Sequence, residues 1–239
     1  AHMDEIALMV VEILKDGSLR MGNVGGVDPR ILPAAVVTVH ATGAGLPATP
    51  LTGVIGAKAP HLLTEAERKQ NYSREDLYID LGLPAEAVRS QVHVGDLVTL
   101  TGQTIALLNE RAAGKTMDDR ACIAVMLEAA ERLSRMKHAA ELVFAATTQE
   151  EVGCRGAKVA AHTVNPDLAI VMDVSHAPIP ASRPDTTIPL DAPAIGYGPY
   201  LQFKLVDRIR QTAAKNGIRL NVEQLESRTG TDTDTVQIA

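Results

Sequence analysis

Residues 141–159, ELVFAATTQEEVGCRGAKV, decide the fold. The first eight form an apolar run of strand length, the pattern of a strand covered on both faces rather than one. The run ends in acid, at Gln149-Glu150-Glu151, and a turn containing Gly153 and Gly156 leads into a helix over 157–163. Further on, 168–172 is a second apolar run, and it too ends in acid, at Asp173. An amphipathic pattern over 200–216 stops at Gly217, and 220–223 is a short strand candidate. Upstream, Asp118-Asp119 opens a helix reaching about Met136, with Cys122, Met126, Ala129 and Leu133 on one stripe. Carboxylates in a first helical turn also suit the helix dipole. Strands alternating with helices predict an α/β fold, a mainly parallel sheet flanked by helices.

Ahead of about 104–115 the chain has a different character. Residues 8–14, 35–40, 51–55, 77–81 and 92–100 are short strand candidates, with a turn at Lys15-Asp16-Gly17-Ser18 and Gly- and Pro-rich connections between them. One polar stretch, 64–74, has the composition of a short helix or a loop. Many short strands with frequent turns predict a small β-barrel or sandwich.

Composition narrows the function. The chain has 239 residues, 46% of them hydrophobic, enough for one large or two modest cores. A net charge of −6 and the absence of a basic cluster argue against nucleic acid as a partner. No apolar run approaches the roughly 20 residues that span a bilayer, and no secretion signal is evident. Two cysteines, Cys122 and Cys154, are too few for a disulfide framework and point to a reducing, cytoplasmic setting. With aromatics at 3% and Trp absent, stacking platforms for sugars or bases are hard to build.

In open α/β sheets the working site lies beyond the carboxyl ends of the strands. Glu150, Glu151 and Asp173 fall at two such ends, and Asp118-Asp119 opens a helix of the same domain. Each signal alone has an ordinary explanation: a helix cap, a solvated loop, a turn cap. Together, five carboxylates at one sheet edge repel one another unless cations neutralise them. Carboxylate with imidazole suits zinc, cobalt or manganese better than calcium. An imidazole stands at His2, two residues from Asp4, and strand alternation puts both on one face.

The segments AHMDEI (1–6), GVIGAKAPHL (53–62), YIDLGLP (78–84), VHVGDLVTL (92–100), MDDRA (117–121), TTQEEVGCRGA (147–157), MDVSHA (172–177) and GTDTD (230–234) run through nearly the whole chain. As a set they resemble the tetrahedral dinuclear-metal aminopeptidases of the glutamyl or deblocking type, metallopeptidase family 42. The resemblance implies two divalent metal ions, zinc, cobalt or manganese, and a ligand set of His2, Asp118 as the bridge, Glu151 and Asp173. Asp4 would orient the His2 imidazole, and Glu150 would act as general base in hydrolysis of peptide N-termini. It also implies a catalytic α/β domain of 1–6 and 108–239, interrupted by a β-barrel dimerisation domain at 7–107. The family assembles from dimers into a hollow tetrahedral dodecamer, so a homo-oligomer acting on peptides is expected.

Two departures follow from the same comparison. Family chains extend beyond both ends of this one, and the resemblance places a last His ligand in a segment after Ala239; His138, His162 and His176 do not match its position. Side-chain specificity is expected from loops such as 175–197. The rival functions are a non-catalytic metal-binding or assembly protein, and another hydrolase on the same scaffold, since some relatives are labelled endoglucanases. Retention of Glu150 argues against the first, because a binding site needs no base there, and the scarcity of aromatics argues against a sugar cleft.

Overall fold

The computed structural model describes residues 1–45, 47–180, 182–183 and 187–239. Its chain divides into two compact units, one of Glu5–Lys115 and one of Ala1–Asp4 together with Thr116–Ala239.

The first unit is built on six short strands: β1 (Ala7–Ile13), β2 (Leu19–Val24), β3 (Val36–Ala41), β4 (Thr49–Ala57), β5 (Leu77–Asp80) and β6 (Leu97–Leu100). Successive side chains on a strand point to opposite faces. Leu8 and Val10, Leu19 and Met21, Val37 and Val39, and Leu77 and Ile79 therefore share the interior, where each is almost fully buried. Burying one such side chain contributes roughly 1.5–3 kcal/mol. The strands pair antiparallel in the order β1-β2-β5-β4-β3-β6, and the ring closes where Leu8 of β1 pairs with Val98 of β6. Closure leaves no unpaired edge in the ring, and a register shift between Val10 and Glu12 bends β1. The β1–β2 turn is the one expected from Lys15-Asp16-Gly17-Ser18: Leu14 N donates to Ser18 O (2.8 Å), and Gly17 takes a φ of +95° that a side chain would resist.

Two differences from the sequence reading stand out here. Only Leu97–Leu100 of the expected 92–100 strand is extended, because α1 (Ala85–Gln91) precedes it and a turn with Gly95 at φ +101° follows. Strand β2 carries no expectation from the sequence. The polar stretch at 64–74 holds a single 3-10 turn, Glu67–Lys69, just ahead of another at Arg74–Asp76. A short hairpin, β7 (Ile105–Leu107) with β8 (Arg111–Ala113), ends the unit.

The second unit contains α2 (Met117–Ser134), α3 (Arg155–Val164), β9 (Ala194–Tyr197), α4 (Phe203–Lys215), β10 (Asn221–Gln224) and α5 (Thr233–Val236). The first three helices and β10 fall close to where hydrophobic periodicity puts helices and a strand. β9 and β10 pair in parallel. The apolar runs at 141–148 and 168–172 behave differently: among the described residues neither forms a ladder, and only Thr147 bridges, in parallel, to His2. Leu142, Val143 and Phe144 are 41%, 57% and 44% exposed, and Leu168 and Ile170 more so. A strand covered on both faces needs paired neighbours, and among the described residues neither run has a strand laddered to it. The most buried side chains of this unit include four polar ones, His2, Asp119, Thr147 and Asp232, beside Ala157, Val206 and Ala213. No helix among the described residues is long and apolar enough to cross a membrane.

Candidate metal centre

A parallel bridge brings the first residues of the chain to the end of the 141–148 run. Met3 N donates to Thr147 O (2.9 Å) and Thr147 N donates to Ala1 O (3.0 Å), which sets His2 beside Thr147. The chain then turns sharply, with Gln149 at φ +62° and Cys154 at φ +54°. Gly153 N and Cys154 N both donate to Glu150 O, at 2.9 and 3.0 Å. Gly156 N closes the loop onto Thr148 O at 3.0 Å.

A Cβ built on Gly156 would lie 2.2 Å from Thr148 O and 2.8 Å from Thr148 N. Both are backbone atoms, so the loop itself would have to move. Gly156→Ala is therefore expected to cost about 2 kcal/mol, the scale of an overpacked site. Thermal unfolding checks this, and a variant of normal stability contradicts it.

The His2 imidazole is nearly fully buried. Its Nε2 lies 3.0 Å from Asp118 Oδ1, 3.9 Å from Glu150 Oε2 and 4.0 Å from Asp173 Oδ1. Its Nδ1 is 3.4 Å from Asp4 Oδ1, without the geometry of a hydrogen bond. Asp4 does tie the loop down, for its two oxygens accept from Glu150 N (3.2 Å) and Glu151 N (3.3 Å). All six residues singled out from the sequence, His2, Asp4, Asp118, Glu150, Glu151 and Asp173, thus gather around one imidazole or its anchoring loop. His138, His162 and His176 are exposed and belong to no such group among the described residues. Of the 175–197 loop expected to set specificity, residues 181 and 184–186 lie outside the described residues.

Sequence reasoning counted Asp119 among the five clustered carboxylates but gave it no role of its own. It is fully buried, its Oδ2 accepts from His2 N (3.2 Å), and its Oδ1 has no hydrogen-bond partner. Its position directly after Asp118 reads as a helix cap, so no local signal separates it from one. The backbone at both residues is non-helical, and the peptide between them is cis.

Electrostatics reflect the crowding. Burial pushes Asp173 up to about 7, aided by Asp119 and Asp118 and opposed by the hydrogen bond from Val174 N. Burial raises Glu150 and Glu151 as well, with Asp118 adding to both. His2 is pulled down by burial, but Asp173, Glu150, Asp4 and Asp118 outweigh it, and the net movement is upward. The Cys154 thiol, whose Sγ donates to Glu150 Oε1 at 3.4 Å, is pushed up to about 12, first by burial and then by Glu150.

Two donor sets share the imidazole: His2 with Asp118 and Glu151, and His2 with Asp119 and Asp173, the donor atoms of each set lying within 4.8 Å of one another. Buried acids held up by their neighbours, an imidazole facing carboxylate oxygens, and an unpartnered Asp119 Oδ1 all fit divalent cations of the zinc class.

Comparison with known proteins agrees in direction. The family model described as M42 glutamyl aminopeptidase matches residues 1–239. A lysyl aminopeptidase of Pyrococcus furiosus is 35% identical over 242 residues, covering 100% of this chain and 68% of that protein. Among solved structures, a TET aminopeptidase from a marine sediment Thaumarchaeota archaeon superposes with a TM-score of 0.90 at 30% identity, covering 100% of this chain and 68% of that one. The TET1 peptidase of Pyrococcus horikoshii, which can assemble into a tetrahedron or a large octahedral shell, gives 0.84 at 31% identity, covering 100% and 70%. This chain therefore spans about two thirds of the length of these relatives.

Proposed function

Because the chain belongs to the M42 glutamyl aminopeptidase family, we propose that it carries the catalytic centre of a metal-dependent aminopeptidase that removes residues from peptide N-termini. The observation that carries this reading is the His2 imidazole, buried and faced by Asp118, Glu150 and Asp173 at 3.0–4.0 Å. His2, Asp118, Glu151 and Asp173 would hold two divalent ions, zinc, cobalt or manganese. When bound, such a pair supplies Lewis acidity and lowers the pKa of a water toward neutrality.

The chain's own groups do the rest. Glu150 has one oxygen engaged by the Cys154 thiol and the other, Oε2, turned toward His2. A carboxylate whose pKa is raised is a competent proton acceptor near neutral pH. Glu150 takes a proton from the attacking water, the resulting hydroxide adds to the scissile carbonyl, and as the C–N bond breaks Glu150 returns the proton to the leaving amine. Asp4 holds the Glu150 and Glu151 backbone and stands beside the imidazole, which fixes the base relative to the ligands. The Glu5–Lys115 unit would serve as a dimerisation domain, and assembly of dimers into a dodecamer is supported by the tetrahedral shell of the Pyrococcus horikoshii relative.

Hydrolysis of a panel of aminoacyl-p-nitroanilides by the intact protein, stripped of metal and then given cobalt or zinc, tests the proposal. Release that requires metal and disappears when the substrate amine is acetylated is the expected result. No release across the panel, with two metals bound, would overturn it.

A further inference from the structure

Asp232 lies in the GTDTD turn at 230–234, a motif with no part in the chemistry above. Its carboxylate is 3% exposed, Oδ2 takes a short hydrogen bond from Thr147 Oγ1, and Oδ1 has no partner. Thr147 is also the residue that pairs with the His2 segment. The Ala1 carbonyl lies 3.0 Å from both Thr147 N and Thr147 Oγ1. A hydroxyl has one proton to give, and the Ala1 carbonyl is already served by the Thr147 N–H, so that proton is available to Asp232. At the other end of the loop, Thr235 Oγ1 of α5 donates to Cys154 O (3.1 Å). The 229–236 segment therefore grips the 147–154 loop at both ends. Between those ends stand Glu150 and Glu151.

A buried carboxylate with an unpaired oxygen costs stability, so a clip with only a structural duty gains nothing from it. We propose that Asp232 is a positioning residue, fixing Thr147 from the C-terminal turn and thereby setting the His2 imidazole against Glu150. The kinetic arm of the test rests on the aminopeptidase reading; the metal-affinity arm does not.

The test uses the intact protein with Asp232→Ala, Asp232→Asn, Thr147→Val and Thr147→Ser, and the Asp232→Ala/Thr147→Val double variant. For each, kcat and KM on the best p-nitroanilide are measured together with zinc affinity and stoichiometry. Asp232→Ala should lower kcat about 10- to 100-fold with KM within about twofold, the signature of misplaced reacting groups. Zinc affinity should weaken about tenfold, as when an orienting partner of a ligand is lost. Asp232→Asn keeps a carbonyl that accepts the Thr147 proton, and Thr147→Ser keeps the hydroxyl, so both should recover most of the loss. The double variant should be no worse than Asp232→Ala alone. Unchanged kcat and zinc affinity in Asp232→Ala would overturn the proposal. So would equal damage in Asp232→Asn, or a drop of one whole zinc ion in Asp232→Ala, which would make the residue a ligand. If Asp232→Ala does not fold, Asp232→Asn against Thr147→Val decides by the same criteria, and if the parent shows no turnover, zinc affinity decides alone.

Discussion

Glu150→Gln is expected to lower kcat by about 10²–10⁴-fold, the contribution of a positioned general base, while two metal ions stay bound. Glutamine has the same shape and keeps an oxygen for the Cys154 thiol, which now sits 3.4 Å from Glu150 Oε1. Its amide cannot accept the proton of an attacking water. The proposed ligands, His2, Asp118, Glu151 and Asp173, are untouched, so metal content separates loss of the base from loss of the site. Glu151→Gln is the control: it removes a proposed ligand, and it should weaken metal binding along with turnover. If Glu150→Gln turned over normally with metal in place, the carboxylate would not be the base. If it lost both ions, Glu150 would belong to the ligand set and the assignment of the Glu150-Glu151 pair would be reversed.

How far the site was legible depends on whether a residue's role is written locally. The two-residue spacing of His2 and Asp4 suggests a shared face, although only His2 makes a β-bridge, and Glu150, Glu151 and Asp173 close apolar runs, so their placement follows from short-range pattern. Asp119 has the same local signature as a capping residue, and only the long-range hydrogen bond from His2 N distinguishes it. Asp232 is farther out of reach, since its partner Thr147 lies 85 residues away. The fold divides in the same way. β1, β3, β4 and β5 announce themselves as short runs of strand formers, whereas Leu19–Val24, LRMGNV, is broken by Arg, Gly and Asn and offers no such run. Ala85–Gln91 has seven residues and one buried side chain, Val88, which is too little for a helical period. The 141–148 and 168–172 runs show the converse. Apolarity marks a strand's likeness to its neighbours' surroundings, but a ladder needs partner strands that local sequence does not name.

The metal-free protein is expected to lose stability as pH rises from about 4 to about 7, against the usual trend of acid denaturation. Asp173 carries the largest part. Its carboxyl moves from an ordinary 3.8 to about 7, chiefly through burial, so the folded chain holds a proton that the unfolded chain releases three pH steps earlier. Where the folded state binds more protons, raising the pH favours unfolding. A change of that size corresponds to an upper limit of about 4 kcal/mol. Glu150 and Glu151 are raised as well and act in the same sense. His2 agrees in sign: its pKa is also raised, so its contribution is complete below 6.5 and fades as pH climbs through the folded-state value. Cations invert the dependence, because these carboxylates and the imidazole must shed their protons to coordinate. Adding zinc should then raise Tm little at pH 5 and by a growing margin up to about pH 7, with proton release on binding. Calorimetric scans of the stripped protein between pH 4.5 and 8, each repeated with zinc, measure both trends. The groups concerned all lie in the unit of Ala1–Asp4 and Thr116–Ala239, so a transition belonging to Glu5–Lys115 should not follow them. A stripped protein whose Tm instead climbed between pH 5 and 7 would mean that these acids are ionised without metal, and that another group compensates their charge.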